Sequence, residues 1–312
     1  MRQVSDAVLL QALMKALELM SQRSSMANAQ SLDVKLNANM GFIRSSDDAL
    51  PAMAPAIYSP PVDALLQLGQ KHLRLRQKWT NYPEVYGLTA DHIPELIQMA
   101  IDQDLNWADS DRLEVWAPVH AWRALGQLKA EAAIEPLLSI FNEMEDSDWF
   151  REEMPEVFAL IGPAVLAPVR NFLANPENAF YCRWTAANIL VKLGQAHPEV
   201  WQDCTAVLAE RLEQFSRNSR EFNGMVVSCL IDLQAQDAAP KIERAYAAKW
   251  VDESICGDWI DVQRELGLIS RAEVYERRHH VDAERLRSKA SKLPSTPSKG
   301  FGTSQKTQKK KG

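Results

Sequence analysis

An apolar stripe that returns five times along this 312-residue chain constrains its fold more than any other feature. In its clearest form it is Ala186, Ile189, Leu190 and Leu193, an i, i+3, i+4, i+7 set that shares one face of an α-helix. Upstream it reads Met154, Val157, Phe158, Ile161, and before that Ala121, Trp122, Leu125. Downstream it reads Val226, Cys229, Leu230, Leu233, and finally Trp259, Val262, Gln263, Leu266. Residues 125, 161, 193, 233 and 266 close the stripes, a period of ~35 residues, which is the signature of a repeat architecture.

Glycine is scarce, at 12 residues, yet Gly126, Gly162, Gly194 and Gly267 each follow a stripe directly. A glycine there is expected to end a helix in the left-handed conformation, which penalises a side chain. After each stop a second helix is expected, in AAIEPLLSIF, AVLAPVRNFL, EVWQDCTAVLAERL and APKIERAYAA. One such pair cannot bury its apolar face alone, so the pairs must stack. No alternating strand pattern interrupts them. The expected fold is all-α, an α-solenoid of about five stacked antiparallel helix pairs.

The segments WAPVHAWRALGQLKAEAAIEPLL and YCRWTAANILVKLGQAHPEV resemble HEAT-like repeats of the type found in phycobilisome lyases and many bacterial scaffold proteins. The shared pattern is an arginine or aromatic residue, an Ala-rich helix, Leu-Gly, then a proline-marked second helix. The resemblance spans about residues 87–270. It departs at Gln234, where glycine is absent, and at Gln263, a polar residue in the last stripe. The resemblance implies an armadillo-type helical fold and is nearly silent about activity.

Around this body the expected organisation is an N-terminal helix over 1–20, a Pro/Ser-rich linker over 21–60, the solenoid over 61–290 and a basic tail over 291–312. No apolar run approaches the ~18 residues that span a bilayer. The N-terminus, MRQVSDAVLLQALMKALELM, is interrupted by Asp6, Lys15 and Glu18 and is a poor secretory signal. Cys182, Cys204, Cys229 and Cys256 stand alone with no CxxC spacing, which fits small core residues in a reducing cytoplasm.

The helical register places side chains opposite the stripe, where stacked pairs are expected to line a concave face. Those positions hold Trp116, His120 and Arg123, then Trp149, Glu152 and Glu156, then Tyr181, Trp184 and Asn188. They continue less distinctively through Glu221, Ser228, Ile231, Asp261 and Arg264. Aromatics and arginine dominate binding hot spots, so this ridge is the candidate partner site. The blander alternative is that the aromatics pack between helices or against the N-terminal segment.

Residues 84–160 carry 17 acidic and 4 basic side chains, whereas 271–312 carry 12 basic and 4 acidic. The run EMEDSDWFREEMPE alone holds seven carboxylates. It could support acid–base chemistry, but a solvated loop and a helix first turn explain it as well. The triplets Asp109–Ser110–Asp111 and Asp146–Ser147–Asp148 suit helix starts, and no EF-hand loop follows either. The histidines share no metal spacing, and no P-loop, GxSxG or GxGxxG occurs. No cofactor or metal is expected.

The resulting expectation is a non-catalytic protein-binding scaffold whose concave groove takes a protein or peptide. Two alternatives come from the resemblance: a bilin-lyase-like chromophore-handling protein, and a DNA-glycosylase-type HEAT-like protein. The last needs a basic phosphate track, which only the tail offers.

Overall fold

The computed structural model describes residues 58–70 and 79–279. The chain divides into two units, residues 1–56 and 57–312, and the described residues belong to the second. The expected helix over 1–20, almost all of the linker over 21–60 and the tail over 291–312 lie outside them.

Among the described residues the fold is all-helical, with no strand. Thirteen α-helices follow one another, about half of them introduced by a short 3-10 turn. They are α1 Tyr82–Tyr86, α2 Ile93–Ile101, α3 Gln103–Asn106, α4 Ala117–Gln127 and α5 Ile134–Ser139. Next come α6 Asp148–Ile161, α7 Leu166–Ala174, α8 Phe180–Ala196, α9 Trp201–Glu213 and α10 Arg220–Asp232. The last are α11 Ala239–Ala247, α12 Glu253–Cys256 and α13 Trp259–Glu265. Residues 271–279 are also helical. No single described helix is long and apolar enough to cross a membrane.

Local chemistry sets the starts. Ser147 and Ser219 accept the Phe150 and Phe222 N–H groups, and Asp258 and Asp261 form a reciprocal capping box. In the second acidic triplet the serine, not an aspartate, caps α6. In the first, the Asp109 carboxylate accepts the Asp111 N–H, a turn rather than a helix cap.

Packing joins alternate helices. Helices α2, α4, α6, α8, α10 and α12 each contact the next, as do α5, α7, α9, α11 and α13. The two series meet where α8 packs on α7 and α9, and α9 on α10. The repeated stripe fills this interior: Ala121, Trp122, Leu125, Met154, Val157, Phe158, Ala186, Ile189, Leu190, Val226 and Leu230 are all inaccessible to solvent. Polar staples recur between neighbouring elements. The Trp122 and Trp201 indoles donate to the Ala100 and Leu233 carbonyls, and Asn142 pairs with both Asn178 and the Ala179 N–H.

Two sequence expectations need correction. Gly126 and Gly194 are not helix stops: they lie inside α4 and α8, and neither has a positive φ. A Cβ on Gly126 would meet the Val157 backbone at 3.1–3.2 Å, and one on Gly194 the Leu233 side chain at 3.1 Å. These glycines exist for close approach to the next element. The left-handed stop after α4 is Lys129 (φ 53), whereas α8 runs on to Ala196 and ends at His197 without one; Gln234 (φ 52), Lys249 (φ 58) and Gly267 (φ 70) end α10, α11 and α13. At Lys129 the hydrogen bonds are Lys129 N–H to Gly126 and Ala130 N–H to Leu125, a Schellman pair that Gln234 and Ala235 repeat. Gln234, which breaks the glycine pattern in sequence, therefore does the stop's work in structure.

The second correction concerns the last stripe. Helix α13, which carries Trp259 and Val262, packs on α11, whereas α12 packs on α10. Helix α12 therefore occupies the position that the stripe assigns to α13. Gly224 permits this, since a Cβ there would meet Ile255 at 2.7 Å and the Asp252 carbonyl at 3.2 Å. Asp261 and Arg264 accordingly do not continue the series of ridge positions.

Candidate binding surface

Helices α4, α6 and α8 begin side by side, and aromatic rings mark each beginning. Trp116 immediately precedes α4, and Trp149 is the second residue of α6. Their rings meet edge to face with centroids 5.3 Å apart. Tyr181 and Trp184 lie in the first turns of α8, 6.3 Å apart. The Arg151 guanidinium from α6 covers the Tyr181 ring at 4.8 Å and also pairs with Asp148. All four predicted ridge aromatics are half-buried. Glu152 and Glu156 are exposed, and Glu156 makes a loose pair with Lys192 at 3.8 Å. Asn188 is half-buried, and its amide oxygen accepts the Cys229 thiol at 3.7 Å.

The indole N–H groups separate two kinds of tryptophan. Trp122 and Trp201 have theirs engaged by backbone carbonyls. Trp116, Trp149 and Trp184 donate no hydrogen bond among the described residues. A half-exposed indole with a free donor contributes apolar area and a polar handle, the combination that suits an interface.

His120 and Arg123 depart from the expected ridge. Both are fully buried, because residues 58–70 and α1 pack over α4. Tyr82 reaches in from α1, and its hydroxyl lies 2.6 Å from His120 Nδ1. His120 Nε2 lies 3.2 Å from the Gly69 carbonyl. Gln127 holds the covering segment by its main chain, accepting from the Tyr82 N–H at 2.8 Å and donating to the Thr80 carbonyl at 2.9 Å. Arg123 forms a two-pronged pair with Glu153, and the Trp79 ring lies 4.8 Å from its guanidinium.

Sequence reading missed Tyr82, Gln127, Glu153 and Arg151. For Glu153 a signal existed: it stands four residues before Val157, which puts a carboxylate on the inward face and demands a buried cation. Nothing comparable marks Tyr82, whose role depends on how the chain folds back.

The remaining chemical candidates have structural roles. Among the described residues no group of three or more His, Cys, Asp or Glu could hold a metal ion. Burial pushes the Cys182 thiol up to about 12 and the Cys204 and Cys256 thiols to about 11, away from thiolate reactivity near neutral pH. A shallow cleft of about 180 Å³ between α7 and α9 includes Arg170 and Arg211. Arg170 pairs with Glu210, and Arg211 donates to the Ala174 carbonyl at the end of α7.

No family model, curated protein or solved structure matches this chain.

Proposed function

We propose that the helices form a HEAT-like α-solenoid of stacked antiparallel pairs, and that the protein is a non-catalytic scaffold in a reducing cytoplasm. Its partner is a protein or peptide, bound along the row of helix starts that carries Trp116, Trp149, Tyr181 and Trp184. The single observation that supports this most is the set of three half-exposed tryptophans with free indole donors at the starts of α4, α6 and α8. Such rings are costly to leave wet unless a partner covers them. His120 and Arg123 drop out of the partner surface, since the chain itself covers them. The acidic side chains beside the rings weigh against a phosphate backbone as the partner.

The test is a Trp149→Ala/Trp184→Ala variant compared with the parent by quantitative affinity capture, with circular dichroism to verify folding. Loss of a hot-spot tryptophan costs about 2 kcal/mol, roughly thirtyfold in Kd, so most captured partners should disappear. A folded variant that retains every partner would remove the ridge from consideration.

A further inference from the structure

We infer that the ridge takes an extended polypeptide segment of another chain, rich in lysine and arginine. This rests on the reading of the ridge as a partner surface and adds the chemistry of the partner.

The first support is charge. Residues 84–160 hold 17 carboxylates against 4 cations. Three of those cations are already engaged: Arg112 with Glu114, Arg123 with Glu153, and Arg151 with Asp148. Around the aromatic row, Glu152 makes no ion pair among the described residues, and Glu156 has only the half-exposed Lys192. Glu145 turns one carboxylate oxygen toward the Tyr181 N–H at a long 3.4 Å. The surface therefore presents carboxylates beside ring faces with few cations of its own.

The second support is that this fold already satisfies cations in this manner. Arg123 lies between the Trp79 ring and the Glu153 carboxylate, and Arg151 lies over Tyr181 while pairing with Asp148. Ring face plus carboxylate is a favourable environment for a guanidinium or ammonium group. Trp149 and Glu152 stand three residues apart on α6, which puts the same ingredients, a half-exposed ring and an exposed carboxylate, on one face of that helix.

The third support concerns the main chain. The Trp116, Trp149 and Trp184 indole N–H groups are open to solvent, and an extended segment offers them unpaired carbonyls that a folded helix or sheet does not. The chain demonstrates such a grip on itself, where Gln127 clamps the main chain of residues 80–82.

The experiment titrates the full-length protein with a fluorescein-labelled peptide of alternating lysine and serine, followed by anisotropy. The same peptide with glutamate for lysine is the control. Binding of the lysine peptide alone is expected, weakening as salt rises because exposed charges are screened beyond about 8 Å at physiological ionic strength. Glu152→Gln/Glu156→Gln should weaken it roughly tenfold, and Trp149→Ala/Trp184→Ala by more. Equal binding of both peptides, or none of either, would overturn the cationic partner. If captured partners still depended on Trp149 and Trp184, the ridge itself would stand. A Lys309→Gln/Lys310→Gln/Lys311→Gln variant covers the other source of the same chemistry. Tighter probe binding by that variant would mean that the chain's own tail occupies the ridge, against a segment supplied by another chain.

Discussion

Arg123 on α4 and Glu153 on α6 form a two-pronged ion pair, Nε to Oε2 at 2.8 Å and Nη2 to Oε1 at 2.5 Å, sealed from solvent. The pair ties two helices that also share the close approach at Gly126, and Trp79 closes it from the N-terminal side. Removing one partner leaves a buried charge unanswered. Glu153→Gln or Arg123→Met alone should cost about 3–5 kcal/mol. Arg123→Met/Glu153→Met should recover most of that loss, because no lone charge remains. Urea unfolding of the three variants reads the difference. A double variant as unstable as the worse single one would contradict this account.

Glycine-to-alanine changes should have the wrong sign for a helix interior. In an open helix the change stabilises by roughly 0.5–1 kcal/mol. At Gly126 the new methyl meets the Val157 backbone, which cannot yield, so Gly126→Ala should destabilise by about 1–3 kcal/mol. At Gly194 the nearest atom is the end of the Leu233 side chain, which can turn. Gly194→Ala should therefore cost less. Thermal unfolding of the two variants gives the order, and a stabilised Gly126→Ala would remove the close-approach explanation.

Lys129→Gly and Gln234→Gly should each stabilise by up to about 1 kcal/mol. Both residues hold a left-handed φ that penalises a side chain by ~1–2 kcal/mol, partly offset by the greater entropy of unfolded glycine. Chemical denaturation midpoints measure the gain. Loss of stability would show that the lysine or glutamine side chain contributes more than its backbone strain.

Alkaline pH should weaken the fold earlier than carboxylate or lysine chemistry alone implies. The Cys204 and Cys256 thiols titrate at about 11 and Cys182 at about 12 when folded, against ~8.5 in an unfolded chain. Burial raises them, so the folded state keeps protons that the unfolded state releases. Stability is intact below about pH 8.5 and declines as pH rises through 11. Burial moves the Tyr82 hydroxyl in the same direction. Unfolding free energy measured between pH 8 and 11 should fall throughout, and Cys204→Ala should flatten part of the slope. An unchanged slope in that variant would exclude Cys204 as a contributor.

The helical class was legible because periodicity is a local property. The stripe through Ala186, Ile189, Leu190 and Leu193 needs only the helix repeat to be read, and all four residues are buried. The same periodicity put Trp116, Trp149, Tyr181 and Trp184 opposite the stripe, and all four are half-buried rather than buried. The glycine rule was half legible: Gly162 and Gly267 do end helices with positive φ, but Gly126 and Gly194 serve packing. A sequence cannot separate these uses, because both ask only for a missing side chain.

By itself, then, the sequence determined the helical class, the face of the four earlier stripe helices that turns inward, and the excess of carboxylates near the aromatic row. Those follow from side-chain spacing and charge, which every segment carries alone. Tertiary structure decided which predicted ridge positions stay accessible. His120 and Arg123 share the register of Trp116, yet Tyr82 and residues 58–70 return over α4 and remove both from water. Burial of that kind depends on contacts between residues about forty apart in the chain, and no local pattern encodes it.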